Sequence, residues 1–257
     1  MKAIWTGAIG FGLVNIPIKM YSATQDSSLD FDMLDKKDLS NIKFQRVNER
    51  TGKVVEWDNI VKGYMHNDKY VVMTDKDFEA AASKQSKVIE IMDFVDEKQI
   101  DTLYYESPYY LEPEKNGSRA YGLLRDALVK TKKVGIGTFV LRSKESLVLI
   151  KPHGDILVLN KLRFGEEVRE TTEINVPEKT AAKSKELEMA VSLINQLSGD
   201  FKIDRYHDSY TERLLKLIES KAKGVKALIP KMKILKSSTD DLMAQLKASL
   251  TPKKKAS

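Results

Sequence analysis

The side chains that could carry chemistry are few, and they are scattered. The three histidines are His66, His153 and His207, and no two of them stand at metal-ligand spacing. His207-Asp208 is a dipeptide a metal-dependent phosphohydrolase could use, but the further His and Asp ligands of such a centre are missing. The chain has no cysteine, which removes thiolate nucleophiles, thiolate zinc sites and disulfides and suits a reducing cytoplasm. Asp30 and Asp32 would face the same side of a strand, yet they stand in the loop-rich stretch 25–37, where solvated acids are the default. Gly7, Gly10 and Gly12 run G-x-x-G-x-G, the reverse of the dinucleotide fingerprint; no helical pattern follows, and no G-x-x-x-x-G-K-[ST] occurs. Asn116-Gly117-Ser118 reads as a turn followed by a helix N-cap rather than as a glycosylation site. The expectation is a non-catalytic protein with no metal and no cofactor.

Cations are the residues that remain. Lys43, Arg46, Arg50 and Lys53 sit within thirteen residues with Phe44 and Val47 between them, opposed only by Glu49. Arg142 and Lys144 end a predicted strand, and Lys130, Lys132 and Lys133 end a predicted helix. The net charge is +6, but residues 221–257 hold ten Lys against Asp240 and Asp241, so the other 220 residues sum to −2. The body is not globally basic. A polyanion would have to be met by local clusters and by the terminal Lys253, Lys254 and Lys255, without sequence preference.

The elements that must position these residues are mainly strands up to about residue 178. A hairpin is predicted from 146–151 through the turn 152–155 to 156–163, with 135–141 as the strand before it. Both arms of the hairpin are apolar on both faces, so both faces should be covered. Gly135 and Gly137 allow the bending of a closed sheet. Shorter strands are expected at 53–57 and 70–74. Helices are expected at 118–130, capped by Ser118 and burying Tyr121, Leu124 and Leu128; at 181–197, with Leu187, Ala190, Val191, Ile194 and Leu197 on one stripe; and at 209–223, opened by a Ser209–Glu212 capping box and closed at Gly224. Residues 238–250 form a short amphipathic helix with Leu242, Leu246 and Leu250 four apart, and 251–257 is a lysine-rich tail without fixed structure. No internal repeat is evident. Glycines and Pro17 in the uncharged stretch 3–18 argue against a signal peptide, and no run nears the ~20 apolar residues of a membrane span. A soluble cytoplasmic protein is expected.

Four stretches bear a resemblance to the bacterial Ku family. They are the opening 24 residues from Met1-Lys-Ala-Ile-Trp-Thr-Gly to Thr24, then Tyr109-Tyr-Leu-Glu-Pro113, Ala120-Tyr-Gly-Leu-Leu124 and Arg205-Tyr-His-Asp-Ser-Tyr210, in family order. The resemblance implies a mainly β protein with α: a β-barrel core over 1–178 with an arching insertion at about 43–75, a helical arm over 179–224, and a C-terminal ligase-contact helix and basic tail over 225–257. It implies a homodimeric ring that threads onto the ends of double-stranded DNA in non-homologous end joining and recruits an ATP-dependent DNA ligase (ligase D), in a nucleoid-associated, cytoplasmic setting with no membrane partner. Lys43, Arg46, Arg50, Lys53 and Lys62 would then lie near the DNA, with Arg142 and Lys144 on a core strand facing its backbone. Leu242, Met243, Leu246 and Leu250 would contact the ligase. Many family members carry Cys-x-x-Cys where this chain has Asn48-Glu49-Arg50-Thr51, so a zinc-like knuckle is absent and the turn must be held by backbone and packing. A nonspecific nucleoid binder is the alternative, and a phosphohydrolase built on His207 and Asp208 a distant third.

Overall fold

The computed structural model describes residues 1–81, 87–141, 144–177, 184–225, 245–246 and 249–250. The chain divides into two compact units, Met1–Thr171 and Thr172–Ser257.

The first unit is a closed barrel. Its strands are β1 (Trp5–Phe11), β2 (Val14–Ser22), β5 (Val88–Asp96), β6 (Tyr105–Pro113), β7 (Lys133–Leu141), β8 (Lys144–His153) and β9 (Ile156–Leu162), in the order β1-β2-β6-β9-β8-β7-β5. Every neighbouring pair is antiparallel except the seam β1–β5, which is parallel over Ala8↔Val88, Ile9↔Ile89 and Gly10↔Glu90. A parallel pair needs a long crossover, and residues 23–87 supply it. That insertion carries the remaining strands of the unit, β3 (Lys62–His66) and β4 (Lys69–Met73), paired as a hairpin, and the short helix α1 (Asp75–Ala81).

Period-two patterning fills the barrel. All seven strands send residues into one buried cluster: Ile9, Ile16, Ile18, Met20, Ile89, Leu111, Phe139, Val148, Ile150, Leu157 and Leu159 among them. The helix α2 (Ser118–Thr131) adds Tyr121, Leu124 and Leu128 to it. A second cluster lies on the opposite face of β7, β8 and β9, where Val134, Leu149 and Leu162 pack with Ile100 and Tyr104 of the connecting turns. The central hairpin is apolar on both faces because both faces are covered. Each such side chain contributes roughly 1.5–3 kcal/mol by burial. Gly137 is required by a close approach: a Cβ there would fall 2.1 Å from the Glu90 carbonyl oxygen, beside the bulge between Ile91 and Asp93.

Several local expectations change. The hairpin turn is shorter than predicted, because Pro152 and His153 belong to β8 and pair with Leu157 and Ile156. Residues 53–57 make no strand; only Val54 bridges, to Val47, and Trp57–Asn59 form a 3-10 turn, since no sheet edge lies alongside them to extend the pairing. Ser118 is the first helical residue and not the cap; a 3-10 turn, Lys115–Gly117, leads in, and the Ser118 hydroxyl donates back to the carbonyls of Glu114 and Lys115.

The second unit contains α3 (Ser184–Leu197) and α4 (Ser209–Ala222). Leu187, Val191, Ile194 and Leu197 of α3 are exposed, as are Leu215 and Ile218 of α4. Asp208, rather than a Ser209–Glu212 box, caps α4. Its Oδ1 accepts from the amides of Tyr210 and Thr211 at 3.0 and 3.2 Å, a carboxylate being the better acceptor for N–H groups at a helix start. Gly224, in the left-handed region at φ 70°, closes the helix.

Candidate nucleic-acid interface

The insertion brings most of the predicted cations onto one piece of chain. It opens with two turns of identical hydrogen bonding, thirteen residues apart. In the first, the Asp35 amide donates to the Ser40 carbonyl at 2.8 Å, Leu39 to Asp35 at 2.8 Å and Ile42 to Met33 at 2.9 Å. In the second, Asn48 donates to Lys53 at 2.8 Å, Gly52 to Asn48 at 2.8 Å and Val55 to Arg46 at 2.9 Å. The bridges correspond, Leu34↔Asn41 and Val47↔Val54, and so do the left-handed residues, Leu39 at φ 61° and Gly52 at φ 67°. The chain therefore has an internal repeat of backbone geometry that its residue types conceal.

The turn at Asn48–Thr51 is held by backbone hydrogen bonds, as expected, and in addition by a side chain. Asn48 Oδ1 accepts from the Arg50 amide at 3.1 Å, the Thr51 amide at 2.9 Å and the Thr51 hydroxyl at 3.1 Å. Val47 and Val54 are exposed, so packing contributes little. Asp35 plays the Asn48 part in the first turn, accepting from the Lys37 amide at 2.8 Å.

Lys43 lies between the two turns, Arg50 and Lys53 lie on the second, and Arg46 and Lys62 are laid against rings. The Arg46 guanidinium is 4.2 Å from the Trp57 ring centroid and the Lys62 ammonium 4.7 Å from that of Phe78. All five cations are exposed. Sequence reasoning passed over Lys36, Lys37, Lys69 and Lys76, which a charge count would have found: residues 36–76 carry nine Lys and Arg against six acids. Among the described residues none of the nine is ion-paired; the described salt bridges lie in the barrel, as Arg125–Asp126, Lys133–Asp96, Lys144–Glu167, Lys151–Glu97 and Lys161–Glu106. Acids of the insertion turn instead to local donors. Asp38 accepts from the Ser40 amide and Asp77 from the Thr74 amide and hydroxyl, and these bonds hold both carboxyls below their ordinary range.

The other predicted sites are less favourably placed. Lys144 opens β8 with its Nζ 3.6 Å from a Glu167 carboxylate oxygen, so part of its charge is already met. The Phe164 amide, and then Lys144, hold the Glu167 carboxyl below the usual range. Arg142, Lys253, Lys254 and Lys255 lie outside the described residues, as do Leu242 and Met243; Leu246 and Leu250 are helical and partly buried. Around His207 the phosphohydrolase idea fails locally, because the Asp208 carboxylate is spent on the cap of α4, and the Thr211 hydroxyl is the largest influence lowering its pKa. Among the described residues no three His, Asp or Glu converge to hold a metal, and no helix is long and apolar enough to cross a membrane.

Fold and site together define a closed β-barrel protein whose long crossover from β2 to β5 carries an exposed set of Lys and Arg over residues 36–76. Residues 10–189 match the family model described as the Ku70/Ku80 beta-barrel domain, and the chain belongs to the Ku family. It is 38% identical over 262 residues to a protein of Coxiella burnetii named Non-homologous end joining protein Ku, across 99% of this chain and 96% of that one. Proteins of the same name from Archaeoglobus fulgidus and Bacillus subtilis are 39% and 36% identical, covering 96% and 97% of this chain and 99% and 82% of theirs.

Proposed function

We propose that this chain binds the ends of double-stranded DNA in non-homologous end joining, without catalysis of its own, as a homodimeric ring that threads onto the duplex. The observation that carries this is the partition of charge. Among the described residues, Arg125, Lys133, Lys144, Lys151 and Lys161 of the barrel unit are paired with carboxylates, whereas none of the nine cations of residues 36–76 is, which leaves those nine for an external anion. Unneutralised, exposed Lys and Arg suit a sequence-independent track of phosphates. Relatives named for end joining support the DNA end as the ligand. A ring supplies specificity through topology, because only a molecule with an end can enter it.

Closure by a second copy is supported by the helical unit. The α3 stripe of Leu187, Val191, Ile194 and Leu197 stays exposed, as do Leu215 and Ile218 of α4. An apolar stripe of that length is covered economically by a partner subunit. The domain roles follow: barrel and arch over 1–178, arm over 179–224, and beyond them the segment with Leu242, Met243, Leu246 and Leu250 laid against ATP-dependent DNA ligase D, followed by a tail whose Lys253, Lys254 and Lys255 add nonspecific attraction. Such a protein acts at the nucleoid.

Linear duplex and a covalently closed circle of the same sequence form the test. Stable, salt-sensitive complexes on the linear form alone are expected, and equal salt-resistant affinity for both overturns threading. Removing Arg50 and Lys53 together takes two cations from each subunit. At about 0.9 counterions per phosphate contact, the dimer's log–log salt slope should flatten by roughly 3 to 4. An unchanged slope would remove these residues from the DNA track.

A further inference from the structure

The insertion carries more than charge. Trp57 and Phe44 stand out from it at 66% and 79% exposure. A threaded duplex presents mainly phosphates and sugars to its surroundings, its bases being stacked on one another. A large ring left in water beside such a track forfeits the free energy of burial and contacts no phosphate.

Trp57 is not a loose ring. It opens the 3-10 turn, in which the Asn59 amide donates to the Glu56 carbonyl and the Ile60 amide to the Trp57 carbonyl, each at 3.0 Å. Its cationic neighbour Arg46 is anchored too, since the Arg46 carbonyl accepts from the Val55 amide at 2.9 Å in the second repeated turn. The guanidinium lies 4.2 Å from the ring centroid and, among the described residues, meets no carboxylate. The guanidinium takes one face of the indole, and the residue as a whole still keeps 66% of its surface open to solvent. An exposed indole beside an unneutralised guanidinium matches the chemistry of an unpaired nucleotide, whose base stacks while its phosphate meets the cation.

We propose that Trp57, backed by Arg46, stacks an unpaired base of the single-stranded overhang at a DNA end. This role deepens the end-binding function proposed above and rests on it. It gives the ring a second discrimination: threading selects for an end, and the indole selects among ends by whether unpaired bases are present.

The full-length chain is tested on two DNAs of one duplex sequence, each closed by a hairpin at one end. The open end is blunt in one and carries a ten-nucleotide thymine overhang in the other. Trp57→Ala should lose on the order of tenfold affinity for the overhang DNA, the cost of one base–aromatic stack, while blunt-end affinity and the sedimentation mass stay unchanged. Trp57→Phe should recover most of the loss. The chain has two tryptophans, so in a Trp5→Phe background the remaining emission should be quenched by overhang DNA and not by blunt DNA. Equal losses on both DNAs, a change of mass or no loss at all would each overturn the stacking role. Failure of end binding itself would show separately, as a wild-type chain without preference for linear over circular DNA.

Discussion

Asn48 is the residue on which the second turn of the insertion depends, and replacing it by alanine measures that dependence. Its Oδ1 accepts three hydrogen bonds, from the Arg50 amide, the Thr51 amide and the Thr51 hydroxyl, at 3.1, 2.9 and 3.1 Å. A hydrogen bond contributes about 0.5–1.5 kcal/mol net, and at an exposed site water replaces part of what is lost. Taking the low end for each gives a loss of about 1–2 kcal/mol in the local opening free energy of the turn. That corresponds to roughly 5- to 30-fold faster amide exchange at Thr51 and Gly52. Among the described residues the barrel core shares no hydrogen bond with this turn, so the global melting temperature should stay within a degree or two. Asn48→Asp keeps the acceptor, as Asp35 does in the first turn, and should hold exchange near the wild-type rate. Chelators should change neither rate. If Thr51 exchange in Asn48→Ala were unaltered, the side chain would not be what holds the turn; if Asn48→Asp loosened it equally, acceptance by Oδ1 would be the wrong cause.

Leu39 occupies the left-handed position that Gly52 fills in the second turn, and it is exposed with little packing to lose. Leu39→Gly should therefore stabilise the first turn by about 1 kcal/mol, read as slower exchange at the Leu39 position's amide. Tyr121→Phe removes the buried hydroxyl that donates to the Leu111 carbonyl and accepts from the Leu157 amide, both at 2.6 Å. Two buried groups lose their partner, so thermal denaturation should show a loss of about 2–4 kcal/mol. The Asp208 carboxyl, held below its ordinary value of 3.8 chiefly by the Thr211 hydroxyl, stabilises the start of α4 fully above that value, and the contribution disappears as pH falls through the lowered folded value. Circular dichroism of Asp208→Asn should retain most of the helix signal at neutral pH and lose this acid dependence.

Much of the barrel was legible because burial imposes a simple period. The runs 147–150 and 156–159, apolar at every position, announce strands covered on both sides, whereas the alternation of Ile16, Ile18 and Met20 is interrupted by Pro17 and predicts no strand. Caps were less legible, because Asp208, Ser209 and Glu212 are all competent by type and only geometry decides which accepts the amides. The repeated turns were hidden for a related reason. Asp35 and Asn48, Asp38 and Thr51, Leu39 and Gly52 differ in type yet fill the same hydrogen-bonding roles. The cation clusters could be read from residue types, but their state could not. That Lys144 faces Glu167 while Arg46 faces an indole depends on contacts between residues well separated in the chain.

The roots of the insertion sit on either side of β1. It leaves from β2, which is held to β1 by seven antiparallel residue pairs, and returns into β5, held to β1 by three parallel ones. Any tension on the insertion would therefore be shared unequally between those two anchors. The parallel seam, with the Ala8 amide bound to the Lys87 carbonyl at 2.8 Å at its margin, is the shorter-paired of the two anchors.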